Sequence, residues 1–324
     1  MTHFRLPLAA GLLALAGAAM AQTPPPAPPL APALNAAQEA ERIASRNLPN
    51  IPGSGPYPAI MEVNAGLPAH VIYRPATLPA AKLGVMLWGN GGCQEDGASA
   101  RQHLLEIASH GYIVIAPGRI MSGPTATEKL PEPIPGAPRR LDSPTKSADV
   151  LAGLDWALKE NTRTGSPLKG HIDPRQVAVA GHSCGGLQAL EVARDPRIHA
   201  VLIHNSGVFA DGSNPISGIN VTKALLKDIH TPIIYILGGP GDIAYPNGTD
   251  DYARISHVPA VLVNLPVGHG GTFYKPYGGA VAQVSVDWLE WQLRGDKSAG
   301  RTFTGPACRL CVSPGWSIER KHMD

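Results

Sequence analysis

Short, almost unbroken apolar runs alternate along this chain with longer segments whose apolar residues recur every three or four positions. Runs bounded by glycine, proline and polar residues are typical of strands buried on both faces of a sheet. The helical spacing is clearest over 146–160, where Val150, Leu154 and Leu158 fall on one side. Strands alternating with helices predict an α/β fold with a doubly wound, mostly parallel sheet.

The pattern places most elements with definite bounds. Strands are predicted at 83–88, 112–116, 177–180, 199–204, 232–237 and 260–265. An antiparallel hairpin is predicted from 60–64 and 70–74 around Ala65-Gly66. Helices are predicted over 35–46, 101–110, 146–160, 187–193, 221–228, 250–257 and 279–293. The proline-rich stretch 117–144 has no period and predicts a long loop, of the kind that is usually functional or disordered.

The first residues have the pattern of an export signal. Arg5 precedes a short apolar run from Leu8 to Ala19, and Ala19-Met-Ala21 is a small-residue cleavage site. The run is too short to span a bilayer as a mature helix, and no cysteine follows it to carry a lipid. We therefore expect a signal peptide over 1–21, no membrane anchor, and a secreted or periplasmic protein.

A proline-rich linker is predicted over 22–34, followed by a single α/β domain over 35–324. Its C-terminal tail contains Cys308 and Cys311 and is expected to lie outside the core. The 324 residues are 44% hydrophobic and 16% charged, which suits one domain with a sizeable core. The formal net charge of +2 gives no reason to expect nucleic acid as a partner. The sequence indicates no oligomeric state.

The candidate chemistry begins at Gly181-His-Ser-Cys-Gly185, between a predicted strand and a predicted helix. A strand, a Gly-x-Ser-x-Gly turn and a helix form the nucleophile elbow of serine hydrolases, which lifts the serine hydroxyl clear of the sheet. Ser183 is therefore the candidate nucleophile, and the backbone N–H of Cys184 points to any oxyanion formed beside it. The alternative is a glycine-rich turn whose serine has no chemical role.

A serine needs a base to take its proton, and the base needs an acid to orient it. His269 follows the last predicted parallel strand between two glycines, and Asp242 follows the strand before it. Their order after Ser183 is that of Ser…Asp…His enzymes. The competing histidines are His182, expected to pack, and His204 and His257; the competing acids are Asp250 and Asp251.

Gly89-Asn-Gly-Gly-Cys93 follows an early predicted strand and is the candidate for the second half of an oxyanion hole. Glycines let a backbone N–H approach the point that Cys184 also faces. Asn90 or Gly91 is the candidate donor. A plain turn is the other interpretation.

With these motifs, the chain resembles the α/β-hydrolase superfamily from about Ile60 to about Leu293. Within it, the run Asp242 to Pro246 and the Gly-His-Gly at 268–270 resemble secreted esterases related to dienelactone hydrolases and cutinase-like polyester hydrolases. The resemblance implies an α/β-hydrolase fold and cleavage of small-molecule or polymeric carboxylic esters. Peptidase or amidase activity, and a non-catalytic binding protein, are the other interpretations.

The chain departs from those relatives at the elbow. Dienelactone hydrolases proper use a cysteine nucleophile where this chain has Ser183, and polyester hydrolases commonly have methionine where it has Cys184. Five aromatics near strand ends are expected to pack or to line a pocket: Trp88, Phe209, Tyr245, Phe273 and Tyr274.

The sequence predicts no cofactor and no metal. The histidines lack ligand spacing, and Cys308-x-x-Cys311 has no second pair. Export instead predicts that the cysteines form disulfides. Cys93 is expected to bond to Cys184, because their two loops would border one oxyanion hole, and Cys308 to Cys311, because they are close in sequence. A free, buried thiol at Cys184 is the alternative.

Overall fold

The computed structural model describes residues 48–126 and 142–323, together with Met1, Ala40, Glu41, Ala44, Ser45 and Glu128. It contains one nine-stranded sheet in the order β1-β2-β4-β3-β5-β6-β7-β8-β9. The strands are β1 (Ala59–Asn64), β2 (Leu67–Pro75), β3 (Leu83–Gly89), β4 (Tyr112–Pro117), β5 (Ile172–His182), β6 (Ala200–His204), β7 (Ile233–Leu237), β8 (Ala260–Asn264) and β9 (Ser317–Lys321). The predicted α/β class is therefore confirmed.

The six neighbouring strands from β4 to β8 run parallel, and antiparallel strands flank them on both sides. The helices are α1 (Arg101–Ser109), α2 (Ser147–Glu160), α3 (Cys184–Val192), α4 (Tyr245–Arg254), α5 (Gly279–Arg294), α6 (Lys297–Gly300) and α7 (Arg309–Val312). Short 3-10 turns occupy Gly91–Cys93, Lys223–Asp228 and Pro276–Gly278. Because parallel strands all end at one edge of the sheet, the loops after β3, β5, β7 and β8 meet there.

Two apolar layers cover the sheet, and alternation along each strand divides its side chains between them. In β3, Val85 and Leu87 belong to the layer that includes residues of α2 and α3. Met86 and Trp88 belong to the layer that includes residues of α1 and α5. Both faces of the parallel strands are buried, which explains why their sequences are continuous apolar runs.

The predicted bounds of α4 are wrong. A helix was expected over 250–257, whereas α4 begins at Tyr245 and ends at Arg254. Pro246 lies in its first turn, where proline is tolerated because that N–H has no partner within the helix. Gly248 packs against the backbone oxygen of Ser206, which a Cβ would meet at 2.6 Å. Tertiary packing thus accommodates residues that local propensity excludes from a helix.

The C-terminal segment was expected to lie outside the core, and this prediction is wrong. β9 pairs antiparallel with β8 along five residues, and Cys308 and Leu310 are buried. Phe303 is fully buried, edge-on to Trp288 at 5.4 Å and stacked on Trp291 at 5.7 Å. The segment covers the edge that β8 would otherwise expose.

Apart from Met1, the predicted signal peptide and the linker lie outside the described residues, as does most of the predicted helix over 35–46. Residues 127 and 129–141 of the predicted long loop also lie outside them. Ala40, Glu41, Ala44 and Ser45 have helical conformation. Over the described ranges, no helix has the length and apolar character needed to cross a bilayer.

Phe303→Ala should lower the free energy of unfolding by about 3–5 kcal/mol, because it leaves a cavity beside two tryptophans. Val312→Ala, in the same segment but 67% exposed, should change it by less than about 0.5 kcal/mol. Denaturant unfolding with both disulfides intact measures the two values. Equal, small effects would mean that the C-terminal segment does not belong to the core.

Candidate active site

Ser183 lies on a strained turn between β5 and α3. Its backbone has φ 55° and ψ −122°, a region that costs a residue with a side chain roughly 1–3 kcal/mol. The turn fits because its neighbours are glycines: a Cβ on Gly181 would collide with the carbonyl of Gly185, and one on Gly185 would collide with that of Gly89. The elbow therefore packs backbone to backbone on the loop after β3.

The ends of three strands bring Ser183, His269 and Asp242 together. The Nε2 of His269 lies 2.9 Å from the Oγ of Ser183, and its Nδ1 lies 2.6 Å from the Oδ1 of Asp242. Ser183 follows β5, Asp242 follows β7 and His269 follows β8. A carboxylate, an imidazole and a hydroxyl thus form one continuous hydrogen-bonded chain.

Asp242 is 1% exposed and is held in its charged form by several donors. Its carboxylate accepts from the backbone N–H of Gly238 and of Ala244, at 3.0 and 2.9 Å. Burial raises the pKa of Asp242, but the hydrogen bond and charge of His269 and the two backbone donors outweigh it and hold the pKa below its usual range. An ionised Asp242 accepts only, so Nδ1 of His269 carries the proton and Nε2 has its lone pair towards Ser183.

Asn205 is part of this site, although the sequence analysis did not identify it. Its Nδ2 donates to Oδ2 of Asp242 at 2.8 Å and to the backbone oxygen of Gly268 at 3.0 Å. The residue directly follows β6 and has φ 45°, a conformation that asparagine tolerates better than most residues. A polar residue at the end of a buried parallel strand was the signal available in the sequence.

The competing acids have other partners. Asp251 accepts from the backbone N–H of Val208 at 2.7 Å and from Lys223 at 2.6 Å. Burial raises the pKa of Asp251 to about 6, although Lys223 and its hydrogen bonds act in the opposite direction. Asp250 pairs with Lys223 and Arg254. Neither carboxylate contacts a histidine in these interactions.

The loop after β3 lies against the elbow, and its two candidate donors differ. The side chain of Asn90 is buried and donates to the backbone oxygens of Gln94 and Pro117, at 2.9 and 2.7 Å. These bonds fix the loop. The backbone N–H groups of Asn90 and Gly91, not the Asn90 side chain, are therefore the candidate oxyanion donors. Gly91 is so close to His182 that a Cβ would lie 2.5 Å from the ring Nδ1.

A disulfide joins Cys93 to Cys184, with their α-carbons 5.3 Å apart. Cys308 and Cys311 form the second disulfide, with α-carbons 4.9 Å apart. Both predicted pairings are confirmed, and the alternative of a free thiol at Cys184 is wrong. The first bond fastens the loop after β3 to the residue that follows Ser183.

Beneath the site, His103 and His204 are fully buried with their rings 5.2 Å apart, packed around Trp88 and Phe273. None of the four imidazole nitrogens of the two histidines has a hydrogen-bond partner. Burial lowers the pKa of His103 to about 3 and that of His204 well below its usual value. Both rings are therefore neutral at near-neutral pH.

The other aromatics and histidines singled out in the sequence also pack. Phe209 and Tyr245 are partly buried against the core, and the hydroxyl of Tyr274 lies 3.3 Å from a carboxylate oxygen of Glu41. His257 contacts the backbone oxygen of Ile229. Among the described residues, no group of three or more His, Cys, Asp or Glu side chains is arranged to hold a metal.

Acid should destabilise the fold through the buried histidines. Each ring binds a proton in the unfolded chain below about pH 6.5 but stays neutral when folded, so stability is lost as the pH falls below that value, by about 1.4 kcal/mol per pH unit for each histidine. His103→Phe should remove one such contribution between pH 6 and pH 4. Denaturant unfolding at several pH values measures the slope.

Val312→Ala is the control for this titration, because Val312 is exposed and has no titratable group. It should leave the slope of the free energy of unfolding against pH at the wild-type value. A His103→Phe slope equal to that of wild type would contradict the assignment of a buried, neutral imidazole.

Comparison of the whole chain with protein-family models and with curated proteins gives no match in either case.

Proposed function

We propose that the protein is a secreted or periplasmic serine hydrolase that cleaves carboxylic esters, with an α/β-hydrolase fold. The observation that carries the proposal is the hydrogen-bonded chain from Asp242 through His269 to Ser183, at 2.6 and 2.9 Å. Its members follow three different parallel strands, so local sequence alone does not bring them together. An acid, a base and a hydroxyl in this arrangement make a serine nucleophilic.

In the proposed reaction, the Oγ of Ser183 attacks the ester carbonyl while Nε2 of His269 takes its proton. Asp242 keeps the imidazole in the correct tautomer and stabilises the imidazolium that forms. The oxyanion is held by the backbone N–H of Cys184 and of Asn90 or Gly91. His269 then protonates the leaving alcohol, and the acyl group remains on Ser183.

Hydrolysis of the acyl-enzyme repeats the same proton transfers with water. His269 takes a proton from water, the resulting hydroxide attacks the acyl carbon, and the proton returns to Ser183 as the acid is released. Two features support Ser183 as the nucleophile. Its strained backbone is of the kind found at active sites, and the Cys93–Cys184 bond fastens the loop after β3 to the residue that follows it.

Two further features support the location and the type of bond. Both cysteine pairs are oxidised, which fits an exported protein. Alcohols leave a tetrahedral intermediate more easily than amines do, so a site with this triad is expected to favour esters. Assaying acetyl, feruloyl, long-chain and polymeric esters identifies the class of ester that the protein cleaves.

Ser183→Ala and His269→Ala should each remove most turnover of a short p-nitrophenyl ester, by similar factors of about 10³ or more, because the two residues act as a unit. Asp242→Ala should lower turnover as well, by an equal or smaller factor. Initial rates, with thermal unfolding to verify the fold, measure these effects. Full activity in Asp242→Ala, with loss in Asp250→Ala or Asp251→Ala, would assign the acid elsewhere.

Catalytic efficiency on the p-nitrophenyl ester should exceed that on the matching anilide. Comparable efficiencies would favour a peptidase or amidase on the same scaffold. If no acetyl, feruloyl, long-chain or polymeric ester is hydrolysed, a non-catalytic binding protein would be favoured.

A further inference from the structure

His182, the residue before Ser183, connects two loops of the site through its ring. Its Nε2 lies 2.9 Å from the backbone carbonyl oxygen of His269. A carbonyl oxygen only accepts, so Nε2 carries the proton and donates it. The elbow is thereby bonded to the backbone of the residue whose ring contacts Ser183.

The surroundings of His182 keep this donor in place. Its ring packs on Phe273, with centroids 4.7 Å apart, and lies 5.3 Å from the ring of His269. Burial lowers the pKa of His182 to about 4, and the neighbouring His269 acts in the same direction. The ring is therefore neutral where an esterase works, with one N–H and no charge to repel an imidazolium at His269.

The other ring nitrogen of His182, Nδ1, lies against the loop after β3. A Cβ on Gly91 would lie 2.5 Å from Nδ1, so the backbone there runs directly against the imidazole. His182 belongs to the elbow, and its ring contacts both the loop of Gly91 and the loop of His269. These three segments carry every group assigned to the reaction except Asp242.

The loop of His269 needs such an anchor because glycines flank it. Gly268 has φ 73° and Gly271 has φ 57°, and glycines leave the backbone more freedom than other residues. Two hydrogen bonds hold the backbone of this loop. Asn205 donates to the carbonyl oxygen of Gly268 at 3.0 Å. His182 donates to the carbonyl oxygen of His269.

We propose that His182 is a positioning residue: by donating to the carbonyl of His269, it fixes the base at its distance from Ser183. It acts through His269 and does not contact the reacting atoms. The proposal rests on the proposed function, which assigns His269 as base.

Three variants separate the hydrogen bond from simple packing. His182→Gln keeps an N–H donor at about the reach of Nε2 but removes the ring, His182→Phe keeps a ring without a donor, and His182→Met matches glutamine in length without a donor. We expect His182→Met and His182→Phe to lose kcat on the p-nitrophenyl ester by about tenfold to a hundredfold, with KM little changed. His182→Gln should retain most of the wild-type kcat.

Titration of the active site with diethyl p-nitrophenyl phosphate, which phosphorylates Ser183 and releases p-nitrophenolate, supplies a second readout. It gives kcat per competent site, so partial unfolding of a variant does not imitate a loss of rate. The labelling rate, followed by intact mass, should fall in His182→Met and be restored in His182→Gln. If His182→Phe does not fold, the comparison of glutamine with methionine decides.

The outcomes distinguish this proposal from the proposed function. Wild-type kcat and labelling rate in His182→Met, or equal losses in His182→Gln and His182→Met, would overturn the positioning role alone. A wild-type protein that neither hydrolyses esters nor is labelled at Ser183 would overturn the proposed function itself.

Discussion

The candidate site depends on one buried charge, the carboxylate of Asp242. It is almost completely removed from water, and an unpaired carboxylate there would bind a proton. The fold instead supplies donors from three places: backbone N–H groups around β7, the amide of Asn205, and the ring of His269. With the charge retained, the tautomer of His269 is fixed, and the lone pair of Nε2 faces Ser183.

A second constraint is the close backbone contact between the elbow and the loop after β3. Gly181, Gly185 and Gly89 meet without side chains, and each position is too close to its neighbours for a Cβ. The disulfide from Cys93 to Cys184 adds a covalent link across the same contact. Glycine packing and a covalent bond therefore hold the two segments that carry the nucleophile and the candidate oxyanion donors.

The four imidazoles around the site, two of them fully buried, differ in role although their residue type is the same. His103 and His204 have no hydrogen-bond partners and pack as neutral aromatic rings with Trp88 and Phe273. His182 uses one nitrogen to hold the backbone of His269. Of these four, His269 alone has a carboxylate on one side and a hydroxyl on the other, and this arrangement identifies it as the candidate base.

The sequence by itself determined the parallel α/β architecture, the elbow around Ser183 and the chain positions of Asp242 and His269, because apolar runs and glycine-polar strand ends are local patterns. It missed β9 and misplaced the start of α4, where pairing with β8 and packing on Ser206 override weak local signals. Tertiary structure alone decided that Asn205 bonds to Asp242 and that His182 bonds to the backbone of His269. Their partners are 37 to 87 residues away along the chain, and no local pattern encodes such a contact.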